Sequence, residues 1–185
     1  SMETEMRVSV GDPELERVLG GGVVPGSLIL LAGEPGAGKS TLLLQMAANP
    51  NLKMLYISGE ESASQIKMRA QRLGIRGDHC HILAETDLYK ITEAITTLQA
   101  GMVIIDSIQT MYSPELESVP GSVSQIRECS YKLQQLSKSA GITIILVGHM
   151  TKEGDIAGPR LMEHIVDVVL HLEGDRQYNL RLLRS

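Results

Sequence analysis

The sequence holds no tryptophan and no phenylalanine, and its aromatics are five tyrosines among 185 residues. A protein that grips nucleic acid by stacking bases on aromatic rings has only those tyrosines to use here. Cysteine is almost as scarce: Cys80 and Cys129 lie far apart and form no CxxC pair. That excludes a disulfide framework and a cysteine zinc site, and it fits a reducing, cytoplasmic setting. No apolar run nears the roughly 18 residues that a membrane-crossing helix requires, and the opening residues are too polar for a signal peptide. An excess of positive charge is missing too, since 17 Lys and Arg stand against 22 Asp and Glu for a net charge of −5. Such a balance argues against a strong, non-specific hold on nucleic acid by this chain alone. What remains is an ordinary globular composition, 43% hydrophobic. A chain of this size can bury about 70% of its unfolded surface as a single domain over residues 1–185.

Short apolar runs alternate with amphipathic stretches, and no repeat or low-complexity segment interrupts them. Asp12-Pro13 with the glycines after Leu19 reads as a short capped helix. SLILLA (27–32), KMLYIS (53–58), HILA (81–84), MVIID (102–106) and ITIILV (142–147) read as strands. Helices are predicted from about Lys39 to Ala48, from a Ser62/Gln65 capping box to Leu73, from Asp87 to Gln99, and from Ser122 to Ser139. In the last of these, Val123, Ile126, Ser130, Leu133 and Leu136 recur at helical spacing. Apolar strands alternating with such helices imply an α/β fold whose mostly parallel central sheet is flanked by helices. HIVDVVLHL and YNLRLL, separated only by a short turn, imply an antiparallel hairpin at one edge.

The chemistry is concentrated in GEPGAGKST, Gly33 to Thr41, which fits G-x-x-x-x-G-K-[ST] with a strand before it and a helix after it. Consecutive backbone N–H groups of such a loop, Gly33, Glu34, Pro35, Gly36, Ala37 and Gly38 leading into Lys39, Ser40 and Thr41, can cradle phosphates; proline lacks an N–H but sits within the turn. The helix start adds a favourable dipole. Lys39 would reach the β- and γ-phosphates, and the Ser40 hydroxyl would hold Mg²⁺. A nucleotide and Mg²⁺ are therefore the expected cofactors. Asp106, ending an apolar strand where ligands bind in open α/β sheets, is the candidate carboxylate behind the metal, acting through metal-bound water. YISGEES offers Glu60 and Glu61 just past another strand as groups that could activate water. Spacing alone does not choose between them.

LGGGVVPGS, GEPGAGKSTLLLQ, YISGEES, VIIDSIQT and GHMTKEGDIAGPRLMEHIVDVVLHLEGD together resemble the ATPase core of the bacterial RadA/Sms family of RecA-like DNA-repair proteins. The resemblance spans essentially the whole chain, and its KEG-x-I-A-G-P-R run is more particular than the phosphate loop. It implies a RecA-like P-loop fold, a DNA-dependent ATPase of helicase or branch-migration type, and action on single-stranded or branched DNA. It also implies a homo-oligomeric ring, hexameric in the family, with nucleotide between neighbours and no membrane. The same resemblance points to Glu60 rather than Glu61 as the catalytic acid. Family members carry an N-terminal zinc motif and a C-terminal Lon-protease-like domain. Neither occurs in these 185 residues, so the chain reads as an excised core. A nucleotide-controlled assembly module, in which hydrolysis only resets the oligomer, is the alternative function.

Several residues keep two readings. His149 stands where RecA-like proteins carry a polar γ-phosphate sensor, but it could equally be a hydrogen-bonded structural histidine. Lys152 and Arg160, in the Gly- and Pro-containing stretch 148–160, would contact DNA or a neighbouring subunit's nucleotide, or simply carry solvated charge. Ser107 to Gly121 resembles a DNA-facing loop or serves as a linker into the long helix. His164 and His171 fit packing roles, and the two cysteines fit inert small residues.

Overall fold

A computed structural model describes residues 24–34, 38–46, 53–75, 78–150, 159–173 and 179–184. The expected helix at Asp12, the loop residues Pro35 to Ala37, and Lys152 lie outside these, as does the side chain of Arg160. In chain order the elements are β1 (Leu28–Gly33), α1 (Lys39–Met46), β2 (Met54–Ser58), α2 (Ala63–Arg72), β3 (Cys80–Ala84), α3 (Leu88–Leu98) and β4 (Met102–Asp106). A 3-10 turn (Ile108–Thr110) follows, then α4 (Val123–Ala140), β5 (Thr143–His149), α5 (Pro159–Met162), β6 (Val168–Glu173) and β7 (Asn179–Arg184).

The strands form one sheet in the order β3-β2-β4-β5-β1-β6-β7. Every neighbour pair from β3 to β6 is parallel. β7 pairs antiparallel with β6, and the residues joining them lie outside the described ones. Because side chains alternate along a strand, strands β1 to β6 each feed two cores. Leu55, Ile57, Val103 and Ile105 pack on one face with Ile91 and Ile95 of α3 and Ile126, Cys129 and Leu133 of α4. Met54, Tyr56, Met102 and Ile104 pack on the other with Leu42, Leu43 and Met46 of α1 and Ile66 of α2.

Local signals explain the helix limits. Ser62 and Gln65 close a reciprocal capping box on α2. Asp87 accepts the Tyr89 N–H at the start of α3, and Gln99 ends that helix in the left-handed region at φ 55°. Ser122 caps α4, and Gly141 ends it at φ 66°. Asp167 ties three elements together: its Oδ2 accepts from the Leu28 N–H at 2.8 Å and from Lys138 Nζ at 2.5 Å, while its own N–H donates to the Leu28 carbonyl at 2.8 Å.

Four expectations shift. β5 runs two residues past its apolar stretch, so His149 is its last residue rather than part of the following loop. Pro159–Met162 is helical, with the proline in the first turn, where it has no N–H to lose. The segment expected as a strand from His164 starts only at Val168, because the Ile165 and Val166 N–H groups turn back onto the Met162 carbonyl. Val123, expected in the core stripe of α4, is 48% exposed at its first turn.

Candidate nucleotide site

The carboxyl ends of β1, β2, β4 and β5 converge. Gly33 is in register with His149 across β1 and β5, and Ser58 with Asp106 across β2 and β4. Around these ends lies a cavity of about 280 Å³ lined by Gly38, Lys39, Ser40, Thr41, Ser58, Glu60, Glu61, Asp106 and His149. The residues that the sequence singled out at four separate places are thus brought together. Glu34 is exposed beside this cavity.

The loop's backbone explains its glycines at two points. Gly38 has φ 90°, a conformation that side chains resist. A Cβ on Gly33 would meet the Leu172 carbonyl at 2.9 Å, so β6 needs this residue bare. Lys39 turns its buried side chain back onto the loop, with Nζ donating to the Gly33 carbonyl at 2.7 Å and the Glu34 carbonyl at 2.8 Å. Burial lowers its pKa to about 8, against the attraction of Asp106 and Glu34. An ammonium held at such cost is poised for a stronger anion.

Asp106 accepts the Tyr56 hydroxyl on Oδ2 at 2.5 Å, and its Oδ1 lies 3.8 Å from His149 Nε2. Burial and the nearby Lys39 lower the His149 pKa, with Asp106 and Glu60 opposing, so the imidazole is neutral at neutral pH. Its Nδ1 is buried and makes no hydrogen bond. The His149 backbone is instead gripped by Gln109, whose Nε2 donates to the carbonyl at 3.2 Å and whose Oε1 accepts from the N–H at 3.4 Å.

The two glutamates differ in their surroundings. Glu61 pairs with Arg69, and its N–H donates to Ser58 Oγ at 3.1 Å. Glu60 is exposed on the cavity wall. Arg69 also donates through Nη1 to Ser40 Oγ at 3.0 Å. Three participants were therefore missed in the sequence: Arg69, Tyr56 and Gln109. The first two had a signal. Arg69 falls three residues after Ile66, the buried residue of α2, and so on the inward face of that helix. Tyr56 shares a strand face with Ser58 and points toward the face that carries Asp106.

Elsewhere, burial pushes the Cys80 thiol up to about 11 and the Cys129 thiol up to about 12, which suits inert packing. Among the described residues no group of three or more His, Cys, Asp or Glu could hold a metal ion, and no helix is long and apolar enough to cross a membrane.

A strand–loop–helix phosphate cradle, backed by a carboxylate two strands away in a parallel sheet, defines a RecA-like P-loop nucleotide-binding domain. In keeping with that, residues 3–155 match the model of the AAA domain family, and the chain belongs to that family. It is 54% identical over 99% of its length to the "DNA repair protein RadA" of Halalkalibacterium halodurans, and 55% identical over 99% to the protein of that name from Listeria monocytogenes. The Bacillus subtilis protein is 54% identical over the whole chain. The resemblance to RadA/Sms proteins is thereby borne out. The chain spans 41–42% of the length of these relatives.

Proposed function

We propose that this chain is the ATP-binding and ATP-hydrolysing core of a DNA-dependent ATPase that works in recombinational DNA repair on single-stranded or branched DNA. The observation that carries the reading is the convergence of Lys39, Ser40, Glu60, Asp106 and His149 on one cavity. The relatives' name supplies the DNA-repair context.

The role of each residue follows from its chemistry. On nucleotide arrival Lys39 exchanges two backbone carbonyls for phosphate oxygens, and its full charge returns as the anion compensates for burial. The Ser40 hydroxyl is a hard oxygen donor that would hold Mg²⁺, and the Asp106 carboxylate would act through metal-bound water, which suits an ion that keeps several waters and takes substrate phosphates for the rest. When bound there, Mg²⁺ would neutralise charge on the phosphate oxygens. Tyr56 fixes the Asp106 carboxylate by holding one of its oxygens. Glu60, exposed and not engaged by Arg69, orients and deprotonates the attacking water. The orphaned His149 Nδ1 is suited to read the γ-phosphate. Gln109 would carry that reading into the segment after β4. Lys152 and Arg160 would act on DNA or on a neighbour's nucleotide in a ring of identical subunits.

The deciding experiment is ATP turnover with and without single-stranded DNA. Turnover that DNA stimulates, and that Glu60→Gln removes while nucleotide binding persists, supports this function. Turnover indifferent to DNA, combined with ATP-dependent association, would assign the chain to a nucleotide-controlled assembly module instead.

A further inference from the structure

Arg69 contacts two residues of the cavity lining, Ser40 and Glu61, and the phosphate cradle explains neither contact. It projects from α2 and is tethered at two points: Nη2 pairs with Glu61 Oε2, and Nη1 donates to Ser40 Oγ at 3.0 Å. A guanidinium can only donate, so the Ser40 hydroxyl accepts with the lone-pair side that a cation would use. A second positive centre at that oxygen would meet the first at close range, where like charges repel strongly. The guanidinium and a divalent cation therefore compete for Ser40.

We propose that Arg69 is a positioning residue that occupies the metal position on Ser40 while the site is empty and is displaced from it when Mg²⁺ and nucleotide arrive. The proposal rests on the reading of Ser40 as a metal ligand. Glu61 keeps the released guanidinium at the cavity wall, so the side chain needs only to swing, with α2 unmoved. Two consequences follow. The start of α1 is tied to the β2–α2 connection in the empty state and freed in the loaded one. Arg69 also sets how much Mg²⁺ the site requires, because it offsets part of the charge of Glu60, Glu61 and Asp106 that would otherwise draw the cation in.

The test is a titration of a fluorescent ADP analogue, first in EDTA and then with rising Mg²⁺, on the 185-residue chain and its variants, each checked for an intact thermal transition. Arg69→Gln is expected to lower the Mg²⁺ concentration for half-maximal enhancement about tenfold, the equivalent of one hydrogen bond to a charged group. Its ADP affinity in EDTA should stay within about twofold of the parent, since the nucleotide alone leaves the arginine on Ser40. Glu61→Gln, which removes a carboxylate that draws the cation in and leaves the Arg69 charge unpaired, should shift the midpoint the opposite way, to higher Mg²⁺. An unchanged Mg²⁺ midpoint in both variants would reduce Arg69 to a structural contact. A loss of ADP affinity in EDTA would make it a phosphate ligand and overturn the proposal. Ser40→Ala separates the underlying reading: if it keeps the full Mg²⁺ enhancement, Ser40 is not the metal ligand, whatever Arg69 does.

Discussion

The Tyr56 hydroxyl donates to Asp106 Oδ2 across adjacent parallel strands, 2.5 Å apart, with the phenol fully buried. Burial first, and Asp106 second, push the phenol's pKa far above its ordinary value, so Tyr56 remains a donor at any working pH. The carboxylate is thereby held in one orientation by a neutral partner.

Removing that partner has a defined cost. Tyr56→Phe leaves the ring's packing intact and strips one bond from a partly buried carboxylate. It should destabilise the fold by about 1.5–3 kcal/mol in chemical denaturation and lower turnover at limiting Mg²⁺ more than at saturating Mg²⁺. Loss of stability with no Mg²⁺-dependent change in turnover would mean that the phenol merely packs.

The two glutamates should separate cleanly. Glu60→Gln is expected to cut kcat by about 10²–10⁴-fold while nucleotide affinity holds, as measured by single-turnover hydrolysis beside equilibrium binding. Glu61→Gln should act on the Mg²⁺ requirement. The reverse pattern would reassign the water-activating role to Glu61.

Gly59 is fixed by a neighbour rather than by its own dihedrals. A Cβ there would lie 2.0 Å from Thr110 Oγ1, and the Gly59 N–H already donates to the Asp106 carbonyl at 2.8 Å. Gly59→Ala must therefore push the Glu60 loop off the segment after β4. A loss of about 1–3 kcal/mol in stability is expected, with kcat falling more than nucleotide affinity. Wild-type kcat in a folded Gly59→Ala variant would show that Glu60 does not need this seat.

Thiol chemistry supplies a pH test. With pKa values of about 11 and 12 for Cys80 and Cys129, only about one thiol in a thousand or fewer is ionised at pH 8, and the thiolate is the nucleophile. Iodoacetamide should label the native chain slowly, with a rate rising about tenfold per pH unit, and label it quickly in denaturant. The linkage has a sign. Raised folded-state values mean that the native state binds more protons once pH passes the ordinary thiol value of 9.0, so stability should fall from there upward. Fast native labelling at pH 8 would contradict the raised values of both thiols.

Much of this architecture was legible because apolar runs and caps report local constraints. MVIID and the Ser62/Gln65 box need only their own residues to declare a strand and a helix start. GEPGAGKST is legible for the same reason, since its function requires contiguous backbone. The misreadings occur where distant groups decide. β5 extends to His149 because Gly33 and the Gln109 amide continue to offer partners, which no run of residues at 148–149 could announce. The delayed start of β6 reflects Met162, buried and capping the turn before it. The Arg69–Ser40 bond joins two helices, α2 and the start of α1, through space, and its only trace in the sequence is a cation on the wrong side of an amphipathic helix.

The position of β1 between β5 and β6 has a consequence for how the protein comes into being. The strand carrying the phosphate loop is made early, yet both its partners lie in the last quarter of the chain, with Leu28 aligned to Ile144 and Ile29 to Val168. Strands β2, β3 and β4 can pair as they emerge from the ribosome, whereas β1 must wait for two late arrivals. Such non-local pairing slows folding, and it orders it. A nascent chain that stops before β5 displays the full GEPGAGKST motif and has no cavity in which to use it, so nucleotide can stabilise only molecules whose synthesis has already passed β5 and β6.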